Sequence, residues 1–254
     1  MPAPITVLHV EDDDQFAELT RQGLAREAID VTINTAPNAD TALDLIDTDR
    51  PDCVVSDYQM PGTNGIEFLR QLRADYPELP FLLYTSKGSE AVASDAISAG
   101  VTDYIQKDAT TEQYELLARR IEQAVARRRA ERDYREIFEK VPAGLVVHDA
   151  ETGEIVDANQ QFCELLGYDR DAVLGMTVAD FSVDDPSYSA ADGHNRIRDA
   201  AAGETQQFTW HDRTKDGASL LVEVTLNRTT IGGQKRVLAY VRPRDSAADS
   251  ESGG

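Results

Sequence analysis

The stretch Cys53-Val54-Val55-Ser56-Asp57-Tyr58-Gln59-Met60-Pro61-Gly62 decides how this chain is read. A short, unbroken apolar run stopped by a turn signal is the pattern of a parallel strand covered on both faces. Asp57 then projects from the carboxyl edge of a sheet, where open α/β folds place their chemistry. Two other runs end in matching groups. Ile5-Thr6-Val7-Leu8-His9-Val10 leads into Glu11-Asp12-Asp13-Asp14, and Thr102-Asp103-Tyr104-Ile105 leads to Lys107. Carboxylates and an ammonium gathered at one edge make a site suited to a divalent cation and a phosphoryl group.

Working outward, strand patterns fall at residues 5–10, 31–35, 53–56, 81–84 and 102–105. Amphipathic helical patterns fall between them at 15–28, 38–47, 65–75 and 89–99, with another starting near Thr111. Strand–helix alternation at this spacing predicts a doubly wound, five-stranded parallel sheet. The last helix opens on Thr110-Thr111-Glu112-Gln113, a capping-box pattern, and Leu117, Ile121 and Val125 repeat along one face. Helical character continues to about Glu139, although the charged residues 127–133 interrupt the apolar stripe. Two readings of this segment stand: a solvated connector and a dimerising signalling helix.

After Pro142 the pattern changes. Residues 145–148 and 155–158 read as strands, 159–166 as a helical patch, and 205–213, 219–227 and 234–242 as long alternating strands. Lys215-Asp216-Gly217 and Ile231-Gly232-Gly233 separate the late strands as hairpins. An antiparallel sheet with small helices inserted early is expected, followed by a disordered tail over 245–254. The domains are therefore set at 1–127, a helical connector at 128–140, and 141–244, with a start near 133 as an alternative for the last.

The chain of 254 residues carries a net charge of −21. Residues 1–110 contribute −13, residues 111–140 +1, and residues 141–254 −9, so two acidic domains flank an arginine-rich connector. Such a field repels nucleic acid and anionic membrane surfaces. Only five of the 25 bases are lysine, a bias that resembles proteins adapted to high salt. Two cysteines, Cys53 and Cys163, do not make a disulfide framework, and no run approaches a membrane-spanning length, so a cytoplasmic protein is expected.

Residues 3–127 resemble the receiver domain of two-component response regulators, a flavodoxin-like fold. Glu11 and Asp12 match the family's acidic pair, Asp57 its phosphoacceptor, Thr85 its hydroxyl, Tyr104 its switch aromatic and Lys107 its lysine. The resemblance implies Mg²⁺ held by Asp12, Asp57, the Gln59 carbonyl and Glu11 through water, and a partner histidine kinase as phosphodonor. The acid run leaves open whether Asp12 or Asp13 is the main ligand. Asp108 after Lys107 and Ser86 after Thr85 depart from the commoner family residues. A haloacid-dehalogenase-like phosphatase needs a second acid two residues after its nucleophile, where this chain has Gln59.

Residues 133–243 resemble a PAS sensor domain. The resemblance rests on Phe138-x-x-Val141-Pro142-Ala143-Gly144, Asp157-Ala158-Asn159-x-x-Phe162, Leu165-Leu166-Gly167-Tyr168 and Arg213-Thr214-Lys215-Asp216-Gly217. Cys163 lacks the surroundings of a photoreactive flavin thiol and reads as a packed residue. His194 reads as a solvated helix position, with haem ligation as the alternative. His9, His148 and His211 read as strand residues, and Trp210 and Phe208 as core. The expected whole is a phosphoacceptor, not a separate enzyme, whose output is protein–protein interaction, homodimerisation included. The alternative is a PAS-centred sensor of haem, flavin or a metabolite.

Overall fold

The computed structural model describes residues 4–86, 90–108, 110, 112–183 and 188–244. Contacts divide the chain into two compact units, Met1–Asp133 and Tyr134–Gly254. The first unit alternates strictly: β1 (Ile5–Val10), α1 (Asp14–Leu24), β2 (Val31–Ala36), α2 (Ala39–Thr48), β3 (Cys53–Ser56), α3 (Gly65–Asp75), β4 (Phe81–Thr85), α4 (Glu90–Ser98), β5 (Asp103–Gln106) and α5 (Glu112–Lys140). All strand pairs are parallel, in the order β2-β1-β3-β4-β5.

Every residue of β3 and β4 is buried, which is why neither strand alternates in sequence. Successive side chains feed two apolar layers. Leu8, Val10, Val54 and Leu83 pack with Ile46, Phe68, Leu69 and Ala96 from α2, α3 and α4. Val7, Cys53, Val55, Leu82 and Tyr84 pack on the other face with Leu24 of α1 and Leu117, Ile121 and Val125 of α5. The apolar stripe expected at the start of α5 is therefore its buried face.

One boundary in this unit differs from expectation by a full turn. Helix α1 stops at Leu24 rather than at residue 28, and Gly23 sits where a Cβ would lie 2.4 Å from the Tyr114 ring. That close approach fastens α5 onto the last turn of α1. Helix α5 runs unbroken through residues 127–133, because Arg and Glu are good helix formers and Arg127 pairs with Glu131 one turn on. Thr111 of the expected capping box, Ser89 at the expected start of α4 and the tail over 245–254 lie outside the described residues.

The second unit begins inside α5. It holds β6 (Gly144–Asp149), β7 (Ile155–Ala158), α6 (Gln160–Leu166), α7 (Arg170–Val173), α8 (Val178–Phe181), α9 (Ala190–Ala202), β8 (Gln206–Arg213), β9 (Ser219–Ile231) and β10 (Gln234–Pro243). The antiparallel sheet has the order β7-β6-β10-β9-β8. One face packs with the short helices through Phe162, Leu166, Phe181 and Ile197. On the other face Phe138 of α5 joins Leu145, Val147 and Leu238. Phe138 thus packs with this sheet, and the boundary between the two units falls after Asp133, within the connector expected over 128–140.

Asn159 locks that arrangement. Its Oδ1 accepts from Leu145 N and Phe162 N, and its Nδ2 donates to Phe138 O and Ala143 O. All four bonds are buried, so one amide joins the end of α5, β6 and the start of α6. Strand β9 continues past residue 227 to Ile231, since Gly232 and Gly233, at φ +59° and +78°, make a two-residue turn that keeps the strands paired up to it.

Candidate metal and phosphoryl site

The ladders bring the predicted residues to one edge. Glu11 N donates to Ala36 O, Asp57 N to Val10 O and Lys107 N to Thr85 O, so each chain leaves its strand still tied to the neighbour. The loop after Asp57 folds back tightly, with Gly65 N donating to Tyr58 O. A Cβ on Gly65 would lie 2.3 Å from Asp57 O, so glycine is required for α3 to start there. Asn64 and Glu67 then form a capping box on α3.

Glu11, Asp12 and Asp57 each offer a carboxylate oxygen, and these oxygens lie within 4.8 Å of one another. Glu11 and Asp57 are buried and Asp12 is exposed. Lys107 Nζ is 2.6 Å from Glu11 Oε2 and 3.4 Å from Asp57 Oδ1. The ammonium lies 4.1 Å from the Phe16 ring centre, so an aromatic face helps hold it. Burial pushes the Glu11 carboxyl above its usual range, against the pull of Lys107. Burial and the Lys107 charge drive His9 down to about 3, so this imidazole is neutral.

Asp13 is otherwise engaged. Its Oδ1 caps α1, accepting from Gln15 N at 2.9 Å and Phe16 N at 3.1 Å. The acid facing the cluster is Asp12. Gln59 lies in the β3–α3 loop with an exposed side chain. Thr85 ends β4, buried, in register with Gln106. Tyr104 packs its ring on the layer containing Leu83, and its hydroxyl is buried with no hydrogen-bond partner.

A divalent cation fits this donor set. Three carboxylates face one ammonium, and Asp57 Oδ1 is buried without a hydrogen bond despite the nearby Lys107 charge. An orphaned oxygen beside two other hard oxygen donors is what Mg²⁺ complements.

In the second unit His194 is exposed on α9, whereas Gly193 and Ile197 of that helix line the internal cavity. His194 therefore does not present its ring to a cavity-bound haem. His148 is buried with Nδ1 on Gly153 O and a pKa lowered by burial to about 4, and His211 Nε2 meets Ser219 Oγ. Cys163 is packed in the core. Trp210 and Phe208 belong to the core and also line the cavity. One residue went unnoticed in the sequence. Asp212 is 3% exposed, its Oδ1 has no partner, and burial raises its pKa from 3.8 to about 7. The signal was available: a carboxylate in the inward phase of Phe208-x-Trp210-x-Asp212.

The family model of the response regulator receiver domain matches residues 7–119, and that of the PAS fold matches residues 132–244. The response regulator MprA of Mycolicibacterium vanbaalenii is 40% identical over 116 residues, covering 46% of this chain and 48% of the relative. The Mycobacterium tuberculosis protein of the same name is 37% identical over 115 residues, covering 45% and 48%. The chain spans about half the length of the curated relatives it matches. Among solved structures, the PAS domain of an HTR-like protein from Haloarcula marismortui is 32% identical, covering 46% of this chain and 98% of that one, with a TM-score of 0.40. A CheY-like receiver from Methanospirillum hungatei is 23% identical, covering 51% and 99%, with a TM-score of 0.45. The chain carries a response regulator receiver domain over residues 7–119, followed by a PAS domain over residues 132–244.

Proposed function

We propose that this response regulator accepts a phosphoryl group on Asp57 from a partner histidine kinase, and that the new charge switches the receiver and, through α5, the PAS domain. The observation that carries the reading is Asp57 Oδ1, buried without a hydrogen bond, with Glu11, Asp12 and Lys107 around it. Asp12, Asp57, the Gln59 carbonyl and, through water, Glu11 are the groups to hold Mg²⁺. When bound, the ion supplies positive charge against the repulsion of the carboxylates and of the transferring oxygens.

The chain's own residues do the rest. Asp57 attacks the phosphorus of a phosphohistidine; the P–O bond forms as the P–N bond breaks, and the leaving imidazole takes up a proton. Lys107, already against Asp57 Oδ1, stabilises the charge gathering on the phosphoryl oxygens. Thr85 donates its hydroxyl to the acyl phosphate, and Tyr104 closes in behind it. The rearranged segment includes β5 and α5, and α5 continues unbroken from the first unit into the second.

No further catalytic activity belongs to this reading: phosphorylation and dephosphorylation are self-catalysed. Output is contact with another protein, including a second copy, in a cytoplasmic setting of high salt that the acidic surface suits. Incubation with Mg²⁺ and acetyl phosphate tests the reading. Labile phosphate on the chain, lost in Asp57→Asn, supports it; equal labelling of the variant refutes it.

A second reading rests on Asp212. The PAS cavity measures about 40 Å³ and is lined by Phe162, Phe181, Trp210 and Val241, with Asp212 and His148 as its polar groups. A cavity of ~150 Å³ takes a benzene, so haem and flavin are too large for this one as it stands. A ligand of only a few heavy atoms bonding to the Asp212 carboxyl, or a larger one for which the cavity opens, would make the PAS domain an input. Native mass spectrometry of the purified chain checks this: a retained small molecule favours it, and an empty Asp212 variant beside a loaded parent would tie it to that carboxyl.

A further inference from the structure

The arginine-rich stretch of α5 finds no role in phosphotransfer, yet it builds a definite site. Arg128, Arg129 and Arg132 converge with Arg50 and Asp52 on a cleft of about 120 Å³. Arg50 and Asp52 precede β3, so the cleft lies at the amino edge of the sheet, opposite the edge that carries Asp57. We propose that this cleft binds a phosphate dianion, either free or as the phosphoryl group of a small metabolite.

The local charge favours an anion. In a chain of net charge −21, four arginines line one cleft beside a single carboxylate. That carboxylate is already engaged, since Asp52 Oδ2 accepts from Thr6 N at 3.1 Å and from Arg129 Nη2 at 2.9 Å. Arg132 meets exposed Asp133 at 3.6 Å, a contact that solvent screens.

The cleft is also preorganised. Arg128 Nη1 donates to Asp52 O at 3.1 Å, and Arg129 Nη2 also reaches Pro4 O at 3.2 Å. Arg50 lies over the Tyr76 ring, 4.9 Å from its centre. Two of the four forks, Arg128 and Arg129, are thus held by hydrogen bonds before any ligand arrives, which lowers the entropy lost on binding.

The cations, finally, crowd one another. Burial lowers the Arg128 pKa, and the charges of Arg50 and Arg132 lower it further, with Asp52 pulling the other way. A crowd of like charges in a half-buried cleft is relieved by an anion, as the acidic edge is relieved by a cation. Tetrahedral oxyanions accept from several guanidinium forks at once, and the cleft is far above the ~10–15 Å³ needed for one water. Because Arg128, Arg129 and Arg132 lie on α5 just before the unit boundary at Asp133, occupancy would stiffen the helix that joins the units.

Calorimetric titration of the full chain tests the proposal, with a chelator present so that the acidic edge holds no divalent ion. The two titrants are inorganic phosphate and glycerol 3-phosphate, at constant chloride. Binding to the parent and equally to Asp57→Asn, weakened at least tenfold in Arg128→Gln and Arg132→Gln, is the expected result. Preference for inorganic phosphate identifies the free ion, and preference for the ester identifies a phosphorylated metabolite. No binding of either, or binding that the two arginine variants leave unchanged, overturns the site. Should Arg128→Gln fail to fold, exposed Arg132→Gln and the charge-keeping Arg128→Lys carry the test.

Discussion

Replacing Asp212 with asparagine should flatten the pH dependence of the PAS domain. Asp212 is 3% exposed, its Oδ1 has no partner, and burial raises its pKa from 3.8 to about 7. Between those values the folded chain keeps a proton that the unfolded chain has released. Stability from this group is fully present below about pH 4 and is lost as pH rises towards 7. A tenfold change in proton affinity is worth about 1.4 kcal/mol, so the whole loss is on the order of 4 kcal/mol. Between about pH 5 and pH 8 the parent should lose roughly 2–3 kcal/mol that Asp212→Asn keeps. His148, held neutral with a pKa of about 4, works in the opposite direction but equally in both proteins, so it cancels. The assay is urea unfolding followed by tryptophan fluorescence. The chain has one tryptophan, Trp210, buried in the same unit two residues from Asp212, so the signal reports the right domain. Parallel stability profiles for parent and variant across that range would refute the reasoning, since they require a carboxylate that ionises in place at no cost.

Three further outcomes follow from the packing. Gly65→Ala places a Cβ 2.3 Å from Asp57 O and 2.8 Å from Leu83 Cδ1, so it should displace the phosphoacceptor loop and slow labelling by acetyl phosphate at least tenfold. Asn159→Ala removes four buried hydrogen bonds, one of them the cap of α6, and should cost the PAS domain roughly 3 kcal/mol in the same fluorescence assay. Lys107→Ala leaves Glu11, Asp12 and Asp57 without their ammonium, so added Mg²⁺ should raise its thermal midpoint by more than it raises that of the parent. An equal rise in both would contradict the electrostatic account of the cluster.

Much of this was legible in the sequence because burial on both faces leaves β3 and β4 as unbroken apolar runs, and each ends at a chemical group. The convergence of Glu11, Asp57 and Lys107 followed from strand ends sharing an edge. The phase of the acid run did not, since only the capping bonds to Gln15 N and Phe16 N distinguish Asp13 from Asp12. The close approach of the Tyr114 ring to Gly23 of α1 joins residues distant in sequence, so no local pattern shows it. Strand β9 outruns its apolar pattern because pairing with β10, not burial, holds residues 228–231. Helices α7 and α8 span one turn each, too short for a periodic signal. The arginine cleft joins Arg50 to α5 across the fold, and no local pattern announces such a meeting.

Locating the phosphoryl group tests the central claim most directly. The full chain is incubated with a small-molecule phosphodonor, with and without Mg²⁺, and its peptides are sequenced by mass spectrometry after reductive trapping of the acyl phosphate. The account predicts one modified position, Asp57, and modification only when Mg²⁺ is present. A trapped group on any other aspartate, or the same yield on Asp57 without divalent ions, would contradict it.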